Sequence, residues 1–155
     1  MTKGNTSLGL RAETRGFCWA IIAGTSEQPI LCASGIKTAP AAYSEAESLT
    51  WLREQVIQTI EQHKPIHAAI RYPERTGFGE KRESTRARLR VEGVLLEATN
   101  SRSLNALTGA LNTISKHIGG SAKDFLGSQD FHGLDLSEHK GHIPEAILAA
   151  VAALR

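Results

Sequence analysis

The first forty residues alternate apolar and polar positions in a way that predicts three antiparallel strands. Leu8 and Leu10 alternate with a glycine, a polar segment follows, and a second alternating run begins at Phe17. A Gly-containing turn between two such runs is a hairpin signal. A third apolar run, over 30–37, comes after another turn with Gly and Pro. We therefore predict an antiparallel meander whose first strand ends at Arg11.

Helical spacing replaces this alternation further along the chain. Ser44 and Glu47 form the Ser-x-x-Glu pattern of a capping box, and apolar residues then recur at helical spacing to about residue 62. Residues 66–70 are a short apolar run, typical of a strand buried on both faces, which ends at Arg71. A helix between two strands predicts a right-handed parallel crossover.

The second half of the chain predicts more helices than strands. Helical patterns cover 81–99, 108–118 and 142–154, a further strand is expected within 100–107, and 121–141 is expected to hold a short helix and a loop. The last helix is apolar on all sides, which is typical of a buried helix, and its alanine face would let it approach a sheet closely. His142 and Glu145 lie three apart on that alanine side and are therefore neighbours.

Composition narrows the class of protein without identifying it. The chain has 155 residues, a net charge of +2 and ordinary apolar and charged fractions, so we expect one domain over 1–155. It has no apolar run of membrane-spanning length and no apolar leader, so the expected location is cytoplasmic. Cys18 and Cys32 fall in predicted strands without a metal-ligand spacing, and we expect both to be buried free thiols.

Five segments, taken in order, resemble the RuvC-type Holliday junction resolvases, which have the RNase H-like fold. LGLRAETRGFCWAII is similar to a first strand and turn of the type LGIDPGxxxxGxxxI, and AAIRYPER to a fourth strand of the type AIE. VEGVLLEA resembles RGVxxxA, GGSAKDF resembles a Gly-Ser-Ala-Lys segment, and HIPEAILAAVAAL resembles a closing helix of the type [DH]xxDALAxAxxH. The resemblance implies an α/β fold with a mixed five-stranded sheet, three antiparallel strands followed by parallel strands, flanked by helices. It also implies a homodimer.

The resemblance further implies a nuclease site, in which two divalent metals held by four positions activate water and stabilise the leaving oxygen. The positions of this chain that match are Arg11, Arg71, His142 and Glu145. A guanidinium has no lone pair for a metal and repels a dication, so we expect this metal site to be lost and no cofactor to be needed.

Another acid could still replace the missing ligands. The nearby candidates are Glu13, Glu74 and Glu97. We expect Glu13 and Glu74 to lie past the strand ends, poorly aligned for this role. Mg²⁺ or Mn²⁺ would be needed only if such a site, with His142 and Glu145, were active.

Two arginines in place of two carboxylates have two interpretations. They can hold phosphate in bidentate fashion, or they can form a structural ion pair with Glu145. A run of basic residues within 71–90, which includes Arg88, favours contact with nucleic acid, although such runs are often solvated helix faces. The predicted nucleic-acid-binding residues are Arg11, Arg71, Arg75, Lys81, Arg82, Arg86, Arg90 and Lys123.

Three hypotheses follow for function. The first is a catalytically inactive, RuvC-like nucleic-acid-binding protein, a pseudo-nuclease that contacts the phosphate backbone of DNA or RNA through an arginine-rich cleft. The second is an active but divergent metal-dependent nuclease or resolvase that uses His142 and Glu145. The third is a protein-interaction scaffold or inhibitor that uses the fold only as a platform.

Overall fold

A five-stranded sheet forms the centre of the molecule. The computed structural model describes residues 5–74 and 83–154. The strands are β1 (Thr6–Ala12), β2 (Gly16–Gly24), β3 (Pro29–Thr38), β4 (His67–Arg71), β5 (Leu107–Gly109), β6 (Asp130–Phe131) and β7 (Leu134–Asp135). The helices are α1 (Glu45–His63), α2 (Glu83–Ser101), α3 (Leu111–Ile118), α4 (Ala122–Ser128) and α5 (Ile143–Ala153), and Leu136–Glu138 form a 3₁₀ turn. The positions of Arg75, Lys81 and Arg82 lie outside the described residues.

The predicted strand arrangement is confirmed. The order across the sheet is β3-β2-β1-β4-β5, with β1, β2 and β3 antiparallel and β1, β4 and β5 parallel. Because side chains alternate along a strand, Leu8 and Leu10 pack under α1 and α2, whereas Ser7 and Gly9 face α5. Arg11 continues the Ser7 series and therefore lies on the α5 face at the end of β1.

The backbone of α5 lies directly against β1. A Cβ placed on Gly9 would come within 1.9 Å of the Ala146 carbonyl oxygen and 2.5 Å of the Ala150 nitrogen. The Ser7 hydroxyl donates a hydrogen bond to the Ala150 carbonyl. The expected close approach of the alanine face is thus confirmed, and it brings the first turn of α5 to the carboxyl ends of the strands.

The boundaries after β4 differ from the sequence-based expectation. The expected strand within 100–107 is wrong, because α2 continues to Ser101 and the strand is the short β5. Thr99 and Ser101 donate their hydroxyl hydrogens to helix carbonyls of Leu96 and Ala98, which satisfies these side chains inside the helix. The following helix, α3, begins at Leu111 rather than 108, because Thr108 and Gly109 pair with β4.

The predicted cap of α1 is confirmed, whereas the predicted burial of the cysteines holds for only one of them. Ser44 caps α1 as predicted: its hydroxyl accepts from the Glu47 nitrogen, and the Glu47 carboxylate accepts from the Ser44 nitrogen. Cys18 is buried as expected, but Cys32 is exposed because β3 is an edge strand with one side open. Both thiols are free.

The segment 121–141 holds more structure than the expected short helix and loop. The β6–β7 hairpin follows α4, and Phe131 of β6 is fully buried. Among the described helices, none is long and apolar enough to cross a membrane.

Candidate functional site

The two arginines at the strand ends meet one carboxylate of α5. Arg11 and Arg71 are register partners in the parallel pair β1–β4. Their Nε atoms lie 3.5 Å and 2.7 Å, respectively, from Oε1 of Glu145. Arg11 and Arg71 are buried, with 9% and 8% of their side chains exposed, and 13% of the Glu145 side chain is exposed. The expected convergence of these three residues is therefore confirmed.

Two further glutamates complete the contacts of these arginines. Arg11 donates through Nη1 to Glu13 Oε2 at 2.9 Å, and Arg71 donates through Nη2 to Glu74 Oε1 at 3.4 Å. Glu74 also accepts a hydrogen bond from the backbone nitrogen of Leu111, the first residue of α3, at 3.1 Å. Glu13 and Glu74 lie past the strand ends, as expected, and each carboxylate turns back to pair with the arginine of its own strand. Their poor alignment as metal ligands stays a prediction.

Glu13 joins β1 to α5 and β2. Its Oε1 lies 2.6 Å from Nδ1 of His142, the N-cap residue of α5, so that His142 carries its proton on Nδ1. The Cys18 thiol donates to the same oxygen at 3.5 Å. Burial raises the pKa of Cys18 to about 12, so this thiol is protonated at neutral pH and is not a nucleophile. The other ring nitrogen of His142 lies 3.8 Å from Glu145 Oε2.

Helix α2 adds one more ion pair to this site. Arg88 and Glu92 lie one turn apart on α2, with Arg88 Nε 3.8 Å from Glu92 Oε2. Burial lowers the pKa of Arg88, and the charges of Arg11 and Arg71 lower it further. Burial also raises the pKa of Glu92 above its ordinary value. The pair is therefore partly removed from water and lies within electrostatic reach of the two strand-end arginines.

We call this group the charged cluster. Its members are Arg11, Arg71, Arg88, Glu13, Glu74, Glu92, Glu145 and His142. Three arginines face four glutamates, so the cluster carries one more negative than positive charge when His142 is neutral. The predicted arginine-rich cleft is thus a network of ion pairs in which each guanidinium has an acid neighbour.

Two cavities border the cluster. One, of about 250 Å³, is lined by residues that include His139, His142 and Glu145. The other, of about 500 Å³, lies where β4 and β5 end and includes Tyr72 and Glu74. The cluster is therefore reached from two sides, next to α5 and next to α3.

The other predicted basic residues that the structure describes, Arg86, Arg90 and Lys123, lie outside the cluster. Arg90 was expected to face it, but its guanidinium bonds Glu45 of α1 and Glu83, each at 2.8 Å. Arg86 is exposed one turn before Arg90 on α2, and Lys123 is exposed on α4. At 100° per residue, Arg86 and Arg90 lie nearly opposite Arg88 on the helix. Arg86 and Arg90 therefore lie on the side of α2 that faces away from the cluster.

Glu92 was not predicted as a site residue, and Arg88 was named only as a member of the basic run, not as a residue of the site. The apolar stripe of α2 could have indicated both residues. Val91 and Leu95 are buried on this stripe, and Arg88 lies on the same side of the helix, one turn before Val91. A charged pair at i and i+4 on a buried stripe, rather than on the solvated side, indicates an interior ion pair.

The described fold is similar to solved structures of Holliday junction resolvases. RuvC of Thermus thermophilus, in complex with a Holliday junction substrate, has a TM-score of 0.75 at 11% identity, over 95% of this chain and 90% of that chain. The yeast mitochondrial Holliday junction resolvase has a TM-score of 0.58 at 14% identity, over 94% and 77% of the two chains. The fowlpox virus resolvase, solved with Holliday junction DNA, has a TM-score of 0.51 at 10% identity, over 94% and 96%.

This chain has the RuvC-type RNase H-like fold. No protein-family model matches it, and no curated protein matches it in sequence. The homodimer that the resemblance implied stays a prediction.

The residues of this chain do not fit the two-metal nuclease site that the resemblance to RuvC-type resolvases implied. Two of the four matching positions are Arg11 and Arg71, and Glu145 Oε1 already neutralises both. Among the described residues, no group of three or more His, Cys, Asp or Glu side chains has the arrangement to hold a metal ion. We therefore derive no reaction step through a metal.

Proposed function

We propose that this protein binds nucleic acid at the face where β1 and β4 end, and that it does so without cutting the strand. The observation that carries the proposal is the side-by-side register of Arg11 and Arg71, with Glu145 shared between them. These guanidinium groups stand at two positions that match metal ligands in the resolvases. Their positive charges replace those of the metals in attracting a phosphate backbone to this face.

The same contacts argue against cleavage. Hydrolysis by this fold needs carboxylates that are free to hold metal, and Glu145 Oε1 lies 2.7 Å from Arg71 Nε. Glu13 is likewise engaged by Arg11 and His142. Releasing either acid for a metal would leave a buried arginine without its counter-charge, which is strongly unfavourable.

The structural neighbours support the choice of ligand. Two of them were solved with Holliday junction DNA, so branched DNA is the first substrate to test. Lys123, Arg75, Lys81 and Arg82 stay predicted contacts for the same backbone, whereas Arg86 lies on the other side of α2. DNA and RNA, branched and unbranched, are to be compared side by side.

The test is a fluorescence anisotropy titration with labelled four-way junction, duplex and single-stranded DNA and with RNA, at several salt concentrations. We expect binding that weakens with salt, with a log-log slope of about −0.9 for each phosphate contacted on duplex DNA. The same substrates are then incubated with Mg²⁺ or Mn²⁺, and we expect no cleavage products.

Two results would contradict the proposal. Metal-dependent cleavage that Glu145→Ala abolishes would replace it with the divergent nuclease. Absence of binding to every nucleic acid at low salt would leave the protein-interaction scaffold or inhibitor, to be pursued by capture of protein partners.

A further inference from the structure

Among the three arginines of the charged cluster, Arg88 has the most unused hydrogen-bonding capacity, because two of its buried donor atoms lack an acceptor and each of the others has one such atom. Its Nε and Nη2 atoms are buried and have no hydrogen-bond acceptor among the described residues. The acid nearest to it in the ion-pair network is Glu92, whose Oε2 lies 3.8 Å from Nε, beyond hydrogen-bond distance. This Glu92 oxygen is also buried without a hydrogen bond.

The two strand-end arginines differ in this respect. Arg11 donates to the Ala12 carbonyl at 2.9 Å and to Glu13 at 2.9 Å. Arg71 donates to the Tyr72 carbonyl at 2.7 Å and to Glu74 at 3.4 Å. Their Nε atoms form ion pairs with Glu145 without hydrogen-bond geometry. Each of them therefore donates two hydrogen bonds inside the protein, whereas Arg88 donates none to a described residue.

A buried charged donor without an acceptor is unfavourable, and native structures rarely retain one without a reason. For Arg88 the cost is increased by the neighbouring positive charges of Arg11 and Arg71, which also lower its pKa. An anionic oxygen from a ligand would remove both penalties, because it accepts hydrogen bonds and adds negative charge. The planar guanidinium presents two parallel donors, which suits two oxygens of one phosphate.

Arg88 is also the most accessible of the three. About 20% of its side chain is exposed, compared with 9% for Arg11 and 8% for Arg71. It reaches the cluster from α2, whereas the other two arginines rise from the sheet itself. Its Nε and Nη2 atoms are buried in the absence of ligand, so the side chain has to turn towards solvent when it contacts a phosphate.

We infer that Arg88 is the phosphate-contacting residue of this site, and that Glu92 holds it in place when no nucleic acid is bound. Arg11 and Arg71, with their glutamates, then form the charged floor beneath the phosphate. The inference rests on the proposed function, since it names the residue through which nucleic acid is bound.

The experiment compares Arg88→Ala with Arg90→Ala in the full-length protein, by anisotropy with labelled four-way junction and duplex DNA at several salt concentrations. Both variants remove one arginine from α2, but Arg90 bonds Glu45 and Glu83 on the opposite side. Arg88→Ala should weaken binding by about tenfold at low salt, the loss expected for a charge-assisted hydrogen bond. It should also reduce the salt slope by about 0.9. Arg90→Ala should leave the slope unchanged.

Two more variants separate contact from folding. Arg88→Lys keeps the charge but loses the paired donors, so it should keep the salt slope while lowering affinity. Glu92→Gln should tighten binding, because it frees Arg88 and removes a negative charge beside the phosphate. Glu97→Gln is its matched control, with the same change of charge on the exposed side of α2. Circular dichroism and thermal unfolding verify that each variant is folded.

Each contrary result has a distinct meaning. If wild type binds DNA but Arg88→Ala and Arg90→Ala lose affinity and slope equally, the role of Arg88 is wrong while the proposed function stands. If wild type binds no nucleic acid, both are wrong. If a labelled polyglutamate peptide binds through Arg88 and DNA does not, the anion recognised is a carboxylate and the phosphate assignment is overturned.

Discussion

Two sides of one helix show how differently charge is used in this protein. On the exposed side of α2, Arg90 bonds Glu45 and Glu83, both at 2.8 Å. Hydrogen bonds to these two acids raise the pKa of Arg90. On the buried side, Arg88 Nε lies 3.8 Å from Glu92 Oε2. Burial lowers the pKa of Arg88 and raises the pKa of Glu92, so it disfavours the charged form of both residues. The short ion pairs, those of Arg90, are exposed to water, and the long one, between Arg88 and Glu92, is in the interior.

This difference separates stability from function. Exposed ion pairs have good geometry because long side chains can adjust, yet water and salt screen them so that they contribute little to stability. A buried pair costs desolvation energy that only good geometry and full hydrogen bonding recover. Arg88 and Glu92 lack both, so stability alone does not account for them. The charged cluster is therefore where ligand binding is to be sought.

The largest expected effect comes from the carboxylate at the centre of the cluster. Glu145→Gln should lower the free energy of unfolding by about 3 kcal/mol, because Arg11 and Arg71 lose their shared counter-charge in the interior. Urea denaturation measures this. Glu97→Gln, which removes the exposed partner of Arg53, should hardly move the midpoint. Equal midpoints for the two variants would show that burial makes no difference to these pairs.

A smaller effect is expected from the glycine that seats α5 over the sheet. Gly9→Ala should cost about 2 kcal/mol by overpacking, since its Cβ would lie within 1.9 Å of the Ala146 carbonyl oxygen.

The control is Gly93→Ala on the exposed side of α2, where a Cβ would meet nothing within 4 Å. There the variant should gain about 0.5–1 kcal/mol from helix propensity. A stabilised Gly9→Ala protein would contradict the close approach of α5, and with it the placement of Glu145.

The smallest effect is a pH dependence of stability with opposite signs on the two sides of α2. Because burial raises the pKa of Glu92, folded protein binds its proton more tightly than unfolded chain does. Between the ordinary and the raised pKa, wild-type stability therefore falls as pH rises. The stability of Glu92→Gln relative to wild type should increase over this range.

Glu97 provides the opposite sign. A hydrogen bond from Arg53 lowers its pKa, so its contribution is present above the ordinary carboxyl pKa and is lost as pH falls through the lowered value. Glu97→Gln should therefore lose stability relative to wild type as pH rises. Urea midpoints of the three proteins between about pH 3 and pH 8 measure both slopes. If the stabilities of Glu92→Gln and Glu97→Gln relative to wild type changed in the same direction with pH, the expected difference between the two sides of α2 would be wrong.

The local elements were predictable because their signals are local. The meander follows from alternation and turns, the start of α1 from the Ser44 and Glu47 capping box, and the buried α5 from its apolar composition. The resemblance then placed Arg11 and Arg71 at adjacent strand ends. The predicted start of β5 was wrong because Thr99 and Ser101 favour neither helix nor strand strongly. In the structure their hydroxyls donate hydrogen bonds to carbonyls of α2, which only the folded helix offers.

The sequence by itself determined which residues stand at the strand ends and that two of them are arginines instead of acids. Only the tertiary structure decided how those charges are balanced. The carboxylates of Glu13 and Glu74 pair with the arginines at the ends of their own strands. The orientation of α2 about its axis places Arg88, and not Arg90, on the side that faces the cluster. Such choices depend on the rotation of one helix and the path of two short turns. These are set by packing across the whole sheet, which a local pattern does not encode.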